Sequence, residues 1–177
     1  MSFSEQAAVW DAQLREVRAR LAPIGVAPMK ELRARSGIDF FEAIGRGELP
    51  TPPISQTLDI WPVEWEPGRM VFQGIPGKAH YNTIGSVHGG WTATMLDSAV
   101  GCAIHSALPA GKGYTTIELK VNYIRAVATE AGALRAEGKV IYVGGQIATA
   151  DGRLYDAHGK LYAHATTTCL IFTLPED

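Results

Sequence analysis

Between Gly89 and Ala107 the residues Trp91, Ala93, Met95, Leu96, Ala99, Val100, Ala103, Ile104 and Ala107 recur at helical spacing and occupy almost every side of one helix. A helix that is apolar all round is a buried helix, so the rest of the chain must wrap it. The flanking sequence offers strands for that purpose. Residues 56–66 and 69–74, joined by the turn residues Pro67 and Gly68, precede the helix. After the breakers Pro109, Gly111 and Gly113 come strand patterns at 114–125, 132–143, 146–155 and 160–174. Gly144-Gly145 and Asp156-Ala157-His158-Gly159 read as hairpin connections, which makes the last strands an antiparallel meander.

The chain opens differently. From Phe3 onward Ala7, Val9, Trp10, Leu14, Val17 and Leu21 mark an amphipathic helix that Pro23 ends. A second helical piece at 38–44 stops at Gly45 or Gly47, and Pro50, Pro52 and Pro53 carry the chain across in extended form. The resulting order is α-α-β-β-α-β-β-β-β, an α+β chain in which a curved antiparallel sheet wraps one helix: the arrangement of a hot-dog fold. Residues 1–53 are expected to form an N-terminal helical extension and residues 54–177 the hot-dog domain. Phe40, Phe41 and Ile44 either pack on that domain or line a substrate pocket, and Trp61 and Trp65 are expected to share one strand face.

Composition narrows the function. Sixteen Lys+Arg against 18 Asp+Glu leave a net charge of −2, without the basic stripe that nucleic-acid binding requires. No apolar run reaches the roughly 18–20 residues of a membrane span, and Met1-Ser2-Phe3-Ser4-Glu5-Gln6 lacks the character of a signal peptide, so a cytoplasmic protein with no membrane partner is expected. Cys102 and Cys169 read as buried thiols. His80, His105, His158 and His164 show no metal-ligand spacing, so neither a metal nor a separate cofactor is expected.

Two features carry chemistry. The helix is entered through Asn82-Thr83-Ile84-Gly85-Ser86-Val87-His88-Gly89-Gly90. Glycines there let a ligand approach the backbone, while the unpaired N–H groups and positive dipole end favour a developing oxyanion. The second feature is Asp97, a carboxylate on an apolar helix, costly to bury unless paired, hydrogen-bonded or functional. Asp97 lies eight positions beyond Gly89, roughly 12 Å along the axis at about 1.5 Å per residue, whereas groups acting on one bond must reach it at about 3 Å. A two-fold dimer resolves this by setting Gly89 of one subunit beside Asp97 of the other.

Asn82, His88-Gly89-Gly90-Trp91-Thr92-Ala93-Thr94-Met95-Leu96-Asp97 and the strand Tyr114-Thr115-Thr116-Ile117-Glu118-Leu119-Lys120-Val121-Asn122-Tyr123 together resemble the hot-dog acyl-CoA thioesterases, over roughly residues 56–174. The likeness is greatest to the phenylacetate-pathway and human thioesterase-superfamily-member type. The resemblance implies that the Gly89 N–H polarises the thioester carbonyl and that Asp97 is the nucleophile or the general base activating water. It further implies that Asn82 positions water or substrate, that His88 holds the loop and contacts ligand, and that Thr116 orients the attacking water, with Thr115 as rival. Gly90 and Thr115 are the adjoining substrate-binding candidates. Coenzyme A would be part of the substrate, and the protein a homodimer or homotetramer. Arg125, Lys139, Arg153 and Lys160 read as solvated charge rather than as phosphate ligands.

The expected function is hydrolysis of aryl-acetyl or medium-chain acyl-CoA thioesters. A non-catalytic acyl-CoA binder or sensor would need neither Asp97 nor Thr116. An acyl thioester hydratase or dehydratase needs an acid/base pair at the β-carbon that the sequence does not display. No Gly-x-Ser-x-Gly elbow supports a serine hydrolase.

Overall fold

The computed structural model describes residues 3–176. Helix α1 (Phe3–Arg20) leads through β1 (Ala22–Ile24), α2 (Met29–Ala34) and α3 (Gly37–Gly45) to β2 (Pro50–Thr51) and α4 (Pro53–Leu58). Then come β3 (Ile60–Glu66), β4 (Arg69–Gly74), the central helix α5 (Gly89–Ser106), and β5 (Lys112–Tyr123), β6 (Leu134–Val143), β7 (Ile147–Asp156) and β8 (Leu161–Thr173). The large sheet is ordered β3-β4-β6-β7-β8-β5, with every neighbouring pair antiparallel. Helix α5 touches all six of its strands, so the sheet wraps the helix as expected of a hot-dog fold.

Met95, Leu96, Ala99, Val100, Ala103 and Ile104 are fully buried, which removes from water the apolar surface that dictated the arrangement. Two strand glycines set how close helix and sheet come. A Cβ on Gly138 would lie 2.3 Å from the Ala99 carbonyl oxygen, and one on Gly152 would lie 2.6 Å from Val100 Cγ1. Only glycine permits this approach of backbone to sheet.

Three readings need correction. The segment 56–58, taken as strand, closes α4: Pro53 presets the first helical turn, Thr57 Oγ1 donates to the Pro53 carbonyl, and Asp59 ends the helix in the left-handed region at φ 51°. Strand β3 therefore begins only at Ile60. Trp61 and Trp65 do not share a face, because a β-bulge between Pro62 and Glu64 reverses the alternation. Trp61 packs with Leu14, Val63 and Val71 on the outer face, while Trp65 joins the core around α5 and covers Gly45. Helix α2 and the short parallel pair β1–β2 were not anticipated.

The N-terminal elements are packed onto this frame. Phe41, Ala43 and Ile44 of α3 belong to the main core, which decides for packing at Phe41 and Ile44. Helix α1 covers the outer face of β3 and β4 through Leu14, Val63 and Val71. Beneath it lies Arg135, 5% exposed, donating to Glu64 Oε1 (2.8 Å), Gln73 Oε1 (3.0 Å) and Gln13 Oε1 (2.7 Å), with Trp10 stacked 4.3 Å from its guanidinium. A buried cation is tolerable here because hydrogen bonds and an aromatic face replace its water.

Candidate active site

The loop entering α5 is built by Asn82. Its Oδ1 accepts from the Ile84 and Ser86 N–H groups, at 3.1 Å each, and its Nδ2 donates to Ser86 Oγ at 2.9 Å. Asparagine's short amide can satisfy a turn in this way, and Gly85 supplies the positive φ of 80° that the turn needs. His88 caps the helix: its Nδ1 accepts from the Gly90 N–H at 2.8 Å, and its own N–H donates to the His80 carbonyl at 2.7 Å. Gly89 is the first helical residue, whose N–H has no acceptor within the helix. The Gly89 carbonyl instead accepts from the Tyr123 hydroxyl at 3.1 Å, and a Cβ on Gly89 would lie 3.3 Å from that ring. Asn82, His88, Gly89 and Gly90 thus form one assembly around a donor-bearing helix end. Tyr123 is an addition to the expected set; its signal is tertiary, since β5 must first be laid beside the helix start.

Two turns further on, Asp97 is half-buried and its Oδ1 accepts from Thr116 Oγ1 at 3.1 Å. Strand alternation separates the two threonine candidates. Thr116 points inward opposite Cys169, whereas Thr115 is exposed on the outer face opposite Leu170. Around Asp97 lie two thiols and a phenol. Burial pushes the Cys102 thiol up to about 12, with Tyr114 hydroxyl contact at 3.8 Å opposing and the Asp97 charge adding to it. Burial likewise raises Cys169 and holds Tyr114 well above its ordinary value. Neither thiol is a thiolate at neutral pH, so neither is a ready nucleophile beside Asp97. Asp97 and the Gly89 N–H are not brought together within one chain, since eight residues of helix, about 12 Å of rise, separate them.

An open cleft of about 430 Å³ adjoins the helix start, lined by Thr57 and Leu58 of α4, by Ala79, His80 and Tyr81, and by His88, Gly90, Trp91 and Thr94. Trp91 Nε1 donates to the Leu58 carbonyl at 2.9 Å and ties the two walls together. None of Arg125, Lys139, Arg153 and Lys160 lines it. Arg125 donates to the Leu161 carbonyl, Lys139 pairs with Glu137 at 3.3 Å and Lys160 lies over Tyr162. His105 sits against Phe40, Phe41 and Tyr114, where burial pushes its imidazole down to about 4. Among the described residues no helix is long and apolar enough to cross a membrane.

Residues 84–163, from the loop of Asn82 through β8's start, match the family model of the thioesterase superfamily. A phenylacetic acid degradation-related protein from Ralstonia eutropha JMP134 is 28% identical, with a TM-score of 0.67 over 73% of this chain and 98% of that one. A protein from Halobacterium salinarum described as an esterase is 41% identical over 68 residues, 37% of this chain and 43% of its own length. The chain spans under half the length of the curated relatives it matches. A thioesterase-superfamily protein of known X-ray structure is 30% identical, with a TM-score of 0.58 over 67% of this chain and 88% of that one. With that coverage beside a sheet-wrapped helix, a capped Gly-Gly start and a helix carboxylate, the chain belongs to the thioesterase superfamily.

Proposed function

We propose that this protein hydrolyses acyl-CoA thioesters, with aryl-acetyl or medium-chain acyl groups as the substrate class. The observation that carries the reading is the 3.1 Å hydrogen bond from Thr116 to Asp97, which joins a helix carboxylate to a hydroxyl on the adjacent strand at the inner face. A carboxylate so oriented can take a proton from water or attack the carbonyl itself. The Gly89 N–H, at a helix terminus where His88 holds the next N–H and Tyr123 holds the Gly89 carbonyl, suits the oxyanion that a thioester carbonyl develops. Asn82 fixes the loop on which this donor sits.

The complete site is formed by two subunits. Strand β5 is an edge of the six-stranded sheet, 12 residues long, and Thr116 lies on it facing Asp97. An unpaired edge of that length is a template for a second strand. Pairing β5 with its copy about a two-fold axis sets Gly89 of one protomer near Asp97 of the other and gives two equivalent sites.

The experiment is release of free CoA thiol from phenylacetyl-, hydroxybenzoyl- and straight-chain acyl-CoAs by wild type and Asp97→Ala. Hydrolysis by wild type and a loss of several powers of ten in the variant are expected. Near-normal turnover by Asp97→Ala would refute the mechanism. Binding without hydrolysis by the wild type would refute the enzyme in favour of a sensor.

A further inference from the structure

Strand β5 meets α5 at two places that a regular strand cannot serve together. Tyr123 donates to the Gly89 carbonyl at 3.1 Å, at the helix start, and Thr116 donates to Asp97 Oδ1 at 3.1 Å, two turns further along the helix. The two side chains are seven positions apart in the sequence. Strand side chains alternate with a period of two, so an odd separation sets residues on opposite faces. Counted from its far end, β5 turns Tyr123, Val121 and Leu119 inward, opposite Ala163, Ala165 and Thr167 of β8, and Val121 and Leu119 pack on the core around α5. Continued without interruption, that phase would bring Ile117 and Thr115 inward and turn Thr116 to the outer face. The register shifts instead between Thr116 and Glu118. Ile117 is the extra residue, 55% exposed, and beyond it Thr116 and Tyr114 face α5, Tyr114 lying against Gly101. This β-bulge gives one strand both contacts.

The bulge is anchored from β8. Thr167, 2% exposed, donates its hydroxyl proton at 2.7 Å to the carbonyl of Glu118, the residue that follows the extra one. Between Thr167 and Thr116 lies the buried Cys169 side chain, its sulfur 3.9 Å from each hydroxyl oxygen. The inner face of the β5–β8 pair thus carries a continuous row, from the Glu118 carbonyl through Thr167, Cys169 and Thr116 to Asp97. Valine has the shape of threonine and suits a strand equally well, so a hydroxyl at so buried a position is accounted for by the bond it makes. We infer that Thr167 is a positioning residue for the hydrolytic site: by fixing the carbonyl after the bulge it sets the phase of β5 and holds Thr116 within hydrogen-bonding distance of Asp97. Thr167 does not reach Asp97 itself and acts through Thr116. Its part in catalysis rests on the thioesterase reading of Asp97, whereas the strand phase and its anchor stand on geometry alone.

The test compares Thr167→Val, which keeps the shape and removes the bond, with Thr167→Ser, which keeps the hydroxyl, each alone and combined with Thr116→Ala. The full chain is assayed by CoA thiol release from phenylacetyl-CoA, and the variants are crystallised. Thr167→Val is expected to lower kcat about tenfold with KM within about twofold of wild type, and Thr167→Ser to keep kcat within about threefold. Thr167→Val combined with Thr116→Ala is expected to be no slower than Thr116→Ala alone, since one residue acts through the other. In the Thr167→Val crystal structure the separation of Thr116 Oγ1 from Asp97 is expected to exceed about 3.5 Å. Thr167→Ala is a second bond-removing variant with the same expectations, and thermal melts establish which of the two is folded at the assay temperature. Wild-type kcat without the Thr167 hydroxyl, equal losses in the serine and valine variants, or full additivity with Thr116→Ala overturns the inference and leaves the hydrolase standing. If the wild type cleaves no thioester, the proposed activity falls and the crystal structures decide: an intact Thr116–Asp97 bond in Thr167→Val overturns the inference, and a parted one upholds Thr167 as the residue that orients this pair.

Discussion

Gly138→Ala tests whether the close approach of α5 to the sheet positions the candidate site. The added Cβ would lie 2.3 Å from the Ala99 carbonyl oxygen and 2.4 Å from its carbon. Both are backbone atoms in a fully buried stretch of helix, so no side chain can rotate away. Ordinary carbon–oxygen contact needs about 3.3 Å, which obliges the helix to back off by roughly 1 Å. Overpacking of this kind costs about 1–3 kcal/mol, and for a chain of this length each kcal/mol lowers Tm by about 2–4 °C, so a fall of roughly 2–12 °C is expected. Asp97 precedes Ala99 by two residues on the same helix. A 1 Å shift there would stretch its 3.1 Å bond to Thr116 beyond hydrogen-bonding range. A misplacement of that size costs on the order of 100-fold in rate, read as kcat/KM by CoA thiol release. Gly77→Ala is the matched control: its Cβ would meet nothing within 4 Å and its φ of −132° suits any residue, so stability should hold or rise slightly. Wild-type Tm and kcat/KM for Gly138→Ala would refute the reasoning.

Other perturbations separate fold from chemistry. Thr116→Ala should lower kcat by about tenfold to a hundredfold, with little change in Tm, because it frees Asp97 without emptying the core. Gly90→Ala would set a Cβ 2.9 Å from His88 Nδ1 and dislodge the cap, costing about 1 kcal/mol in a denaturant titration together with a loss of kcat. Burial depresses His105 to about 4 against about 6.5 unfolded, so its contribution is complete above pH 6.5 and is lost as pH falls through 4; His105→Phe should remove on the order of 3 kcal/mol of acid sensitivity from the unfolding curve. Arg135→Ala leaves Gln73 Oε1 and Gln13 Oε1 without their donor beneath α1, while Glu64 keeps Arg69, and should cost on the order of 2 kcal/mol in urea, with faster proteolysis of α1.

The central helix is readable because its apolar residues from Trp91 to Ile104 recur at helical spacing and most of them are buried. The strands of the meander were readable for a related reason: Ala148, Ala150 and Leu154 face α5 in strict alternation, as do Ala163, Ala165 and Cys169. Misreadings fell where one residue breaks a period. The bulge at Pro62 to Glu64 adds a residue to β3 and sends Trp65 to the face opposite Trp61. Helix α4 has six residues, too few for a period to show against the apolar strand that follows it. At the candidate site, Asp97 stands out as the lone carboxylate on the central helix, whereas Thr116 enters only through the resemblance of its strand to the hot-dog thioesterases, with Thr115 as rival. Tyr123, Thr57 and His80 could not be found that way. Each reaches the helix start only after a separate element has docked, and local sequence does not record the docking.

That docking bears on why a chain whose family match covers residues 84–163 carries so much structure before it. A sheet curled around a helix protects the flank of the helix that faces it, and the first turn of α5 must stay accessible for its N–H groups to meet a ligand. The other flank needs cover that does not close the site. Helix α3 supplies it at the far end of α5, through Phe41 and Ile44 in the core and Gly37, whose Cβ would lie 1.7 Å from the His105 carbonyl oxygen. Helix α4 supplies it at the near end, where a single hydrogen bond from Trp91 to Leu58 leaves the cleft open beside Gly90. Helix α1 acts on the opposite side of the sheet, burying Val71 and Arg135 on a face that would otherwise be wet. The same fifty-odd residues thus cover the outer sheet face and the free flank of α5 and shape the cleft at the helix start that Thr57 lines, so substitutions in them should alter which thioester is accepted before they alter how it is cleaved.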